Sequence, residues 1–516
     1  MPNYEETALT IIKDAIKSAI FIDENAREPF MAEEPGEAMR SEELYKDFRA
    51  KGISLSIYKY DDATYDAHKE YLFNNRDLVL LDWKLDDNDG EDKSLDILAN
   101  IVNMQPHIHF CVIYTSENQE VVLNNILSYF SCLTYEEYEE IREDFEAEKE
   151  KIDKLLPDLI LLSQNRFNRS KRGEVFKELI RDRELKAKVE SHKILNKDKS
   201  LGLLCAYIRL GIAFSKHLKS NDMQPCPSDI DTEHYTVCIN NTLISVLNKR
   251  DVSASRIFER FSQQIAQYEK GVMHLVGLEM RNIQRKGGTF IDSNVLAVTK
   301  ETLGYHKMQS DKNFTSFIKD VMVEQLKTNI SEDDLSIISA ITPCGYQDKP
   351  ECIAEYAAMN VFYNSQRRNE INKRLTFGDV FKCEDKFYIC ITALCDCAHP
   401  DKRNHCFYFA EGRKITLDKA LDKGDSGYIS YISRDCCVQW DNPPIKGEYS
   451  YIVPINYMVP DNCIVNDKLN VYRFKDKKVE DKEFEYLTTI RQNYAQRIAN
   501  YAFAHPLRVG IDFVKK

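Results

Sequence analysis

Three carboxylates stand in the sequence where a divalent cation and a phosphoryl group could meet. Asp82 closes the apolar run Asp77-Leu78-Val79-Leu80-Leu81-Asp82, and the adjacent acids Asp23 and Glu24 follow an earlier run, Ala19-Ile20-Phe21-Ile22. In an open parallel sheet, chemistry collects outside the carboxyl ends of the strands, so two strands ending in acids bring all three side chains to one crevice. Carboxylates packed together raise one another's pKa and cost stability unless a cation neutralises them. Mg²⁺ suits such a site, because it is usually held by one or two carboxylates together with waters and phosphate oxygens. The chemistry implied is phosphoryl chemistry with Mg²⁺ as the cofactor. The alternative is that the acids cap nearby helices or are simply solvated.

A second group of reactive side chains lies further along. Cys383, Cys390, Cys395, Cys397, His399, His405 and Cys406 fall within 24 residues. Thiolates with imidazoles suit Zn²⁺, and Cys395, Cys397, His399 and Cys406 are the candidate ligands. Their spacing is not the paired Cys-x₂-Cys of a zinc ribbon, and alternation along Tyr388–Cys397 would instead bury several thiols as small hydrophobes.

The elements that must position these residues follow from the apolar pattern. Residues 4–130 alternate strand-like runs at 19–22, 53–58, 77–82 and 109–114 with helical stretches at Ser41–Lys51, Asp62–Asn74 and Ser94–Met104, the pattern of a doubly wound α/β domain. From Tyr135 to about 220 the chain reads as a helical insertion, with Tyr138, Ile141, Phe145, Ile152, Leu155 and Leu159 at helix spacing. This acidic segment presents either a solvated face or a coiled-coil partner site. Tyr235–Ile239 and Thr242–Leu247 flank Asn240-Asn241, a hairpin with a type I′ turn. Asn248-Lys249 and a helix at Ser253–Glu269 follow, supplying a fifth strand and helix. The expected organisation is therefore residues 1–130 and 231–270 as one five-stranded parallel α/β domain, 131–230 as its insertion, 271–375 as a helical connector, and 376–516 as a β-rich domain. That last domain is expected to have strands at Phe387–Leu394 and Tyr449–Ile455 and to close with a helix, Glu483–Asn500 at its heart.

Composition limits the function. The net charge of −13 argues against nucleic acid as a direct ligand, since phosphate neutralisation dominates such binding. The basic stretch at Arg367, Arg368, Lys373 and Arg374 reads as a solvated helix face without the aromatic interleaving of a single-strand binder. The N-terminal apolar run is broken by Lys13, Asp14 and Lys17, so it reads as neither signal peptide nor membrane span, and the expected compartment is the cytosol with reduced cysteines. No phosphate-cradling Gly-x₄-Gly-Lys-Ser/Thr, Gly-x-Ser-x-Gly or His-Glu-x₂-His motif occurs, which leaves independent ATPase or hydrolase activity unsupported.

The α/β part resembles a response-regulator receiver domain. In that family an acidic pair after the first strand holds Mg²⁺, matched here by Asp23 and Glu24, and the third strand ends in the phosphorylated aspartate, matched by Asp82. The fourth strand ends in a Thr or Ser that binds a phosphoryl oxygen, matched by Thr115 in Ile113-Tyr114-Thr115-Ser116. The fifth ends in a lysine that pairs with the phosphate, matched by Lys249. Two departures stand out: about a dozen extra residues around Phe30–Met39, which a surface loop absorbs cheaply, and more than 100 residues between Thr115 and Lys249, which make the domain discontinuous. The aromatic residue of the family's fifth strand has no counterpart at Val246 or Leu247. The arrangement is similar to a diverged bacterial receiver group found in gene clusters thought to act against phage, beside a histidine-kinase-like or related ATPase. The resemblance implies a signalling protein phosphorylated on Asp82. The alternatives are a phosphorylation-independent pseudo-receiver scaffold that docks such an ATPase, and an effector with a zinc or Cys-Asp site in 376–465.

Overall fold

Apolar runs that are buried on both sides form the centre of the first sheet. Strands β1 (Ser18–Asp23), β2 (Ser54–Lys59), β3 (Leu78–Asp82) and β4 (His109–Thr115) are joined by β5 (Asp229–Asp231), β6 (Thr236–Ile239) and β7 (Thr242–Asn248) in the order β2-β1-β3-β4-β7-β6-β5. Every residue of β3 and β4 is buried, which is why these strands read as continuous apolar runs rather than alternating ones. The computed structural model describes residues 3–29, 38–85, 90–104, 108–164, 169–195, 199–214, 225, 227–268, 271–287, 295–309, 314–330, 335–342, 353–368, 370–424, 428–433, 436–442, 451–475 and 478–508. Most of the extra loop around Phe30–Met39 and the tail beyond Arg508 lie outside the described residues.

The five strands β2, β1, β3, β4 and β7 are mutually parallel, as the pattern predicts. The sheet as a whole is seven-stranded and mixed, because β6 and β5 continue it antiparallel beyond β7. Only two residues, Asn240 and Asn241, separate Ile239 from its partner Thr242, and a connection so short can only reverse the chain. Asn240 alone of the pair takes a positive φ, 52°, so the turn is not the type I′ that the Asn pair suggests.

Alternating side chains along the strands feed two cores. Ile20 and Ile22 of β1 pack on one face with helices α3 (Asp62–Phe73), α4 (Gly90–Met104) and α5 (Gln119–Tyr129), whereas Ala19 and Phe21 pack on the other with α1 (Tyr4–Ala15) and α2 (Ala38–Ala50). The segment between α5 and β5 folds as α6 (Tyr135–Phe145), α7 (Lys149–Gln164), α8 (Arg169–Leu179), α9 (Arg183–Ser191) and α10 (Lys199–Ala206), followed by a π-helical turn, Tyr207–Gly211. Its apolar stripe, including Tyr138, Ile141, Phe145, Ile152 and Leu159, is buried in a core of the insertion's own, not spent on a coiled-coil partner.

After β7, α11 (Ile257–Gln267) and α12 (Val272–Gly287) return to the α1 side of the sheet. There Arg281 and Arg285 reach Asp77 at 3.4 and 3.3 Å, while the other Asp77 oxygen accepts the Lys17 N–H at 2.9 Å, which ties α12 to the amino-terminal end of the sheet. Helices α13 (Lys300–Gln309), α14 (Phe314–Ile330) and α15 (Ser336–Ala340) follow, and Ile337 of α15 enters the same core.

The chain divides into two units, Met1–Tyr346 and Gln347–Lys516. The second contains α16 (Ile353–Asn364), β8 (Ser365–Gln366), β9 (Asn372–Arg374), β10 (Asp379–Cys383), β11 (Lys386–Cys390), α17 (Leu394–Ala398), β12 (Cys406–Ile415), α18 (Leu417–Lys423), β13 (Ile429–Ser433), β14 (Cys436–Gln439), β15 (Pro454–Met458), β16 (Cys463–Val465), β17 (Lys468–Lys475), β18 (Lys478–Ile490) and α19 (Gln492–Arg508). Pairing runs β12-β11-β10-β18-β17-β15 and back to β12, so the β-rich region is a closed barrel. Phe381, Tyr388, Phe409, Tyr457, Phe484 and Tyr486 fill it, with Tyr388 and Phe484 stacked at 4.4 Å.

Three sequence expectations are corrected here. The segment Glu483–Ile490 is strand, not helix, because Phe484 and Tyr486 alternate into the barrel with Glu483 and Glu485 outside; helix begins only at Gln492. The strand at Phe387 stops at Cys390 and Leu394 starts a helix. Arg367 and Arg368 lie outside any helix and Lys373 and Arg374 lie on β9, with Lys373 buried against Asp467 at 2.6 Å and Arg368 bonded to buried Asp379 at 2.7 Å.

Among the described residues, no helix is long and apolar enough to cross a membrane. A Cβ at Gly412 would lie 2.5 Å from both Trp440 and Val438 side-chain carbons. Gly412→Ala should therefore destabilise the barrel unit by about 1–3 kcal/mol through overpacking. The two tryptophans, Trp83 and Trp440, fall one in each unit, so Trp440 fluorescence during urea unfolding of a Trp83→Phe background reads this loss directly.

Candidate functional site

Strand register brings the acids to one level. Ile22 pairs with Leu81, so Asp23 and Asp82 emerge side by side; Asp82 pairs with Tyr114, and Thr115 with Asn248. Of the residues that follow, Glu24 and Lys249 line the crevice, while Trp83 buries its ring in the core and turns only its backbone N–H to Asp82. Carboxylate oxygens of Asp23, Glu24 and Asp82 lie within 4.8 Å of one another.

Both Asp82 oxygens are held. Trp83 N–H donates to Oδ1 at 2.7 Å, and the Lys249 ammonium donates to Oδ2 at 2.6 Å while standing 3.9 Å from Asp23 Oδ2. Lys249 is positioned by its backbone N–H, which donates to the Thr115 carbonyl at 2.6 Å, and by the Tyr114 ring 5.6 Å from its ammonium. Asn25 orients the acid pair, its backbone N–H donating to Asp23 Oδ1 and its amide to Glu24 Oε1, each at 2.7 Å. The second Glu24 oxygen is buried with no hydrogen-bond partner. Thr115 is buried, and its hydroxyl oxygen accepts the Glu117 N–H at 3.0 Å, which leaves the hydroxyl proton to be donated elsewhere.

Burial and neighbouring charge set the protonation. Burial pushes Glu24 up to about 7, with the Asp23 carboxylate adding to the rise. Burial also lifts Asp82 to about 6, opposed by the Lys249 charge and reinforced by Asp23. Three crowded carboxyl groups, one with an orphaned oxygen, form a donor set suited to a hard cation, so Asp23, Glu24 and Asp82 fit Mg²⁺.

Some contributing residues escaped the sequence reading. Lys84 and Glu117 form an ion pair at 2.7 Å between the loops after β3 and β4. The Ser94 hydroxyl lies 2.9 Å from the Asp82 carbonyl and 2.8 Å from that of Trp83, fixing the turn that carries the acid. At Gly90 a Cβ would meet the Leu85 nitrogen at 2.7 Å, so α4 starts against that turn only because no side chain intervenes. The spacing of these residues carries no periodic signal; only their nearness in sequence to Asp82 and Thr115 could have pointed to them.

The proposed zinc ligands are not brought together. Among the described residues, the acid cluster is the group of three or more metal-ligating side chains that converges, and Cys395, Cys397, His399 and Cys406 form no such group. Cys395 and Cys397 lie on α17, where residues two apart do not share a face. Cys397 is buried and its thiol donates to the Thr392 carbonyl at 3.3 Å, whereas Cys395 is exposed.

Because Glu24 and Asp82 sit above the ordinary carboxylate range in the folded chain, the stability they contribute is full at acid pH and is lost as pH rises through about 6 and about 7. The Tm of metal-free protein should fall between about pH 4 and pH 7 and level off above, with Mg²⁺ raising it most at the alkaline end. Glu24→Gln should flatten that fall and shrink the Mg²⁺ gain; an unchanged pH profile in the variant would contradict the assignment.

The family model for the response receiver domain matches residues 15–156, from the end of α1 into α7. No curated protein matches the chain, and no solved structure does. The match contains β1 to β4 with Asp23, Glu24, Asp82 and Thr115 and stops well short of β7, which the structure nevertheless sets beside β4 with Lys249 against Asp82. Residues 15–156 are thus matched by a response-regulator receiver domain, and β7, which follows the inserted helices, is the strand that pairs with its β4.

Proposed function

We propose that the receiver accepts a phosphoryl group on Asp82 and that the protein is a signalling or regulatory component driven by that modification. The observation that carries this reading is the Lys249 ammonium 2.6 Å from Asp82, beside two further carboxylates that fit Mg²⁺. An Asp82 oxygen attacks the phosphorus of a donor, the bond from phosphorus to its leaving group breaks, and the leaving group departs with the electron pair. Lys249 faces the added negative charge, and the free Thr115 hydroxyl proton is available to a phosphoryl oxygen. Asp23, Glu24 and Asp82 would hold Mg²⁺, which when bound would neutralise charge on the transferred group. The aspartyl phosphate carries about −1.5 to −2 of charge in place of the single charge of the carboxylate, beside the Lys84–Glu117 ion pair, enough to bias the β3 and β4 loops.

The donor is a histidine-kinase-like or related ATPase, and the setting a bacterial phosphorelay or anti-phage system; both rest on the resemblance of the sequence to the diverged receiver group. A second reading is favoured by the engagement of both Asp82 oxygens, which makes the residue part of the fold even without chemistry. In that case the domain is a scaffold that docks its ATPase whatever the phosphorylation state.

Incubation with acetyl phosphate and Mg²⁺ should add one phosphoryl mass to the intact protein, and Asp82→Asn or removal of Mg²⁺ should abolish the gain. No gain in the wild type, with ATPase docking indifferent to Asp82→Asn, would establish the scaffold.

A further inference from the structure

The barrel unit carries a cavity of about 700 Å³ on its outer wall, away from the aromatic-filled interior. Its apolar surface comes from Val361, Phe387, Leu487 and Ile432, and three cations, Arg367, Lys382 and Lys414, line it against one acid, Asp385. In a chain of net charge −13 this local excess of positive charge is opposite to the average. We propose that this cavity binds a nucleotide-sized phosphate ester, its ring against the apolar wall and its phosphates on the cations.

Three features separate this from an ordinary lysine-bearing surface. Lys382 and Lys414 form no ion pair among the described residues, although the neighbouring Lys386 pairs with Glu411 at 2.7 Å. Two of the hydroxyls on the rim are committed: Ser365 donates to the Val361 carbonyl and Thr488 to the Gln366 carbonyl, both at 3.0 Å. The charged donors left for a ligand are the two ammonium groups and the remaining guanidinium N–H groups of Arg367, one of which already reaches Asp467 at 2.9 Å, with the Gln366 amide as a neutral donor beside them. That set selects an anion over a neutral polar molecule. The volume lies within the ~300–1,000 Å³ of small-molecule sites, and the mixture of apolar wall with a few convergent charges matches their usual lining. A half-open cavity of this limited volume, with no extended basic stripe described beside it, suits a nucleotide rather than a nucleic-acid strand.

The half-buried thiol of Cys436 lines the same cavity, whereas exposed Cys395 does not, and the pair gives an internal control. The test uses the full chain in EDTA, so that the acid cluster of the receiver recruits no phosphate through a metal. ADP is titrated by calorimetry, inorganic pyrophosphate is added as competitor, and N-ethylmaleimide labelling of each cysteine is followed by mass spectrometry. ADP should bind, pyrophosphate should displace it, and ADP should slow labelling of Cys436 while leaving Cys395 unchanged. Lys382→Glu with Lys414→Glu should weaken ADP at least about tenfold, the loss of two charge-assisted hydrogen bonds. Both lysines are exposed, so the fold should survive; if Tm drops, the milder Lys382→Gln with Lys414→Gln carries the comparison. Absence of ADP binding, no competition by pyrophosphate, unchanged affinity in the variants, or a single-stranded oligonucleotide binding more tightly than ADP through the same lysines would each overturn the proposal.

Discussion

An ammonium held 2.6 Å from a buried aspartate is the contact on which the receiver end of this molecule depends. Asp23, Glu24 and Asp82 crowd one crevice at the carboxyl ends of β1 and β3, and without a countercharge their mutual repulsion and burial would drive protons onto them or push the strand ends apart. Lys249 supplies that countercharge when no cation does, and removing one partner of such a buried pair typically costs about 3–5 kcal/mol. The lysine is placed by β7, whose pairing with β4 puts Asn248 opposite Thr115 and leaves the next residue to turn over the crevice. Sheet order and charge balance are therefore one constraint.

Its consequence is topological. The lysine lies 167 residues from the aspartate it meets, separated by a helical subdomain between α5 and β5. Such an insertion is tolerable because closure entropy grows only slowly with loop length, and because α6 to α10 bury most of their apolar residues in a core of their own, while Leu204, Ile208 and Ile212 join the core on one face of the sheet. The antiparallel strands β6 and β5 then extend the sheet past β7, so the strand that carries Lys249 is interior and paired on both sides. An interior strand fixes its register more firmly than an edge would, which suits a residue that must arrive at one oxygen atom.

What the sequence made legible was what burial makes simple. The runs ending in Asp23, Asp82 and Thr115 are apolar throughout because both sheet faces are covered, and their ends fall within a residue of the strands found. Lys249 was legible through the Asn240-Asn241 turn, though the antiparallel extension that this turn imposes was not drawn from it. Lys84, Glu117, Ser94 and Gly90 were missed, since their roles come from loops meeting in space. In the second unit the charged stretch at Glu483 resembled helix until the barrel showed why Phe484 and Tyr486 alternate with it, and the clustered cysteines fell on elements that turn them apart. The closed barrel itself has no sequence marker: β15 returns to β12 across some forty residues.

The most direct test of this account is a double-mutant cycle on unfolding of the receiver unit, combining Asp82→Asn with Lys249→Met in metal-free protein and reading stability by Trp83 fluorescence in a Trp440→Phe background. Each single change should destabilise, and the double variant should recover a coupling energy of about 1–3 kcal/mol, as contacting residues do. Additivity within about 0.3–0.5 kcal/mol would mean that Asp82 and Lys249 do not meet, and the discontinuous receiver built around their contact would not stand.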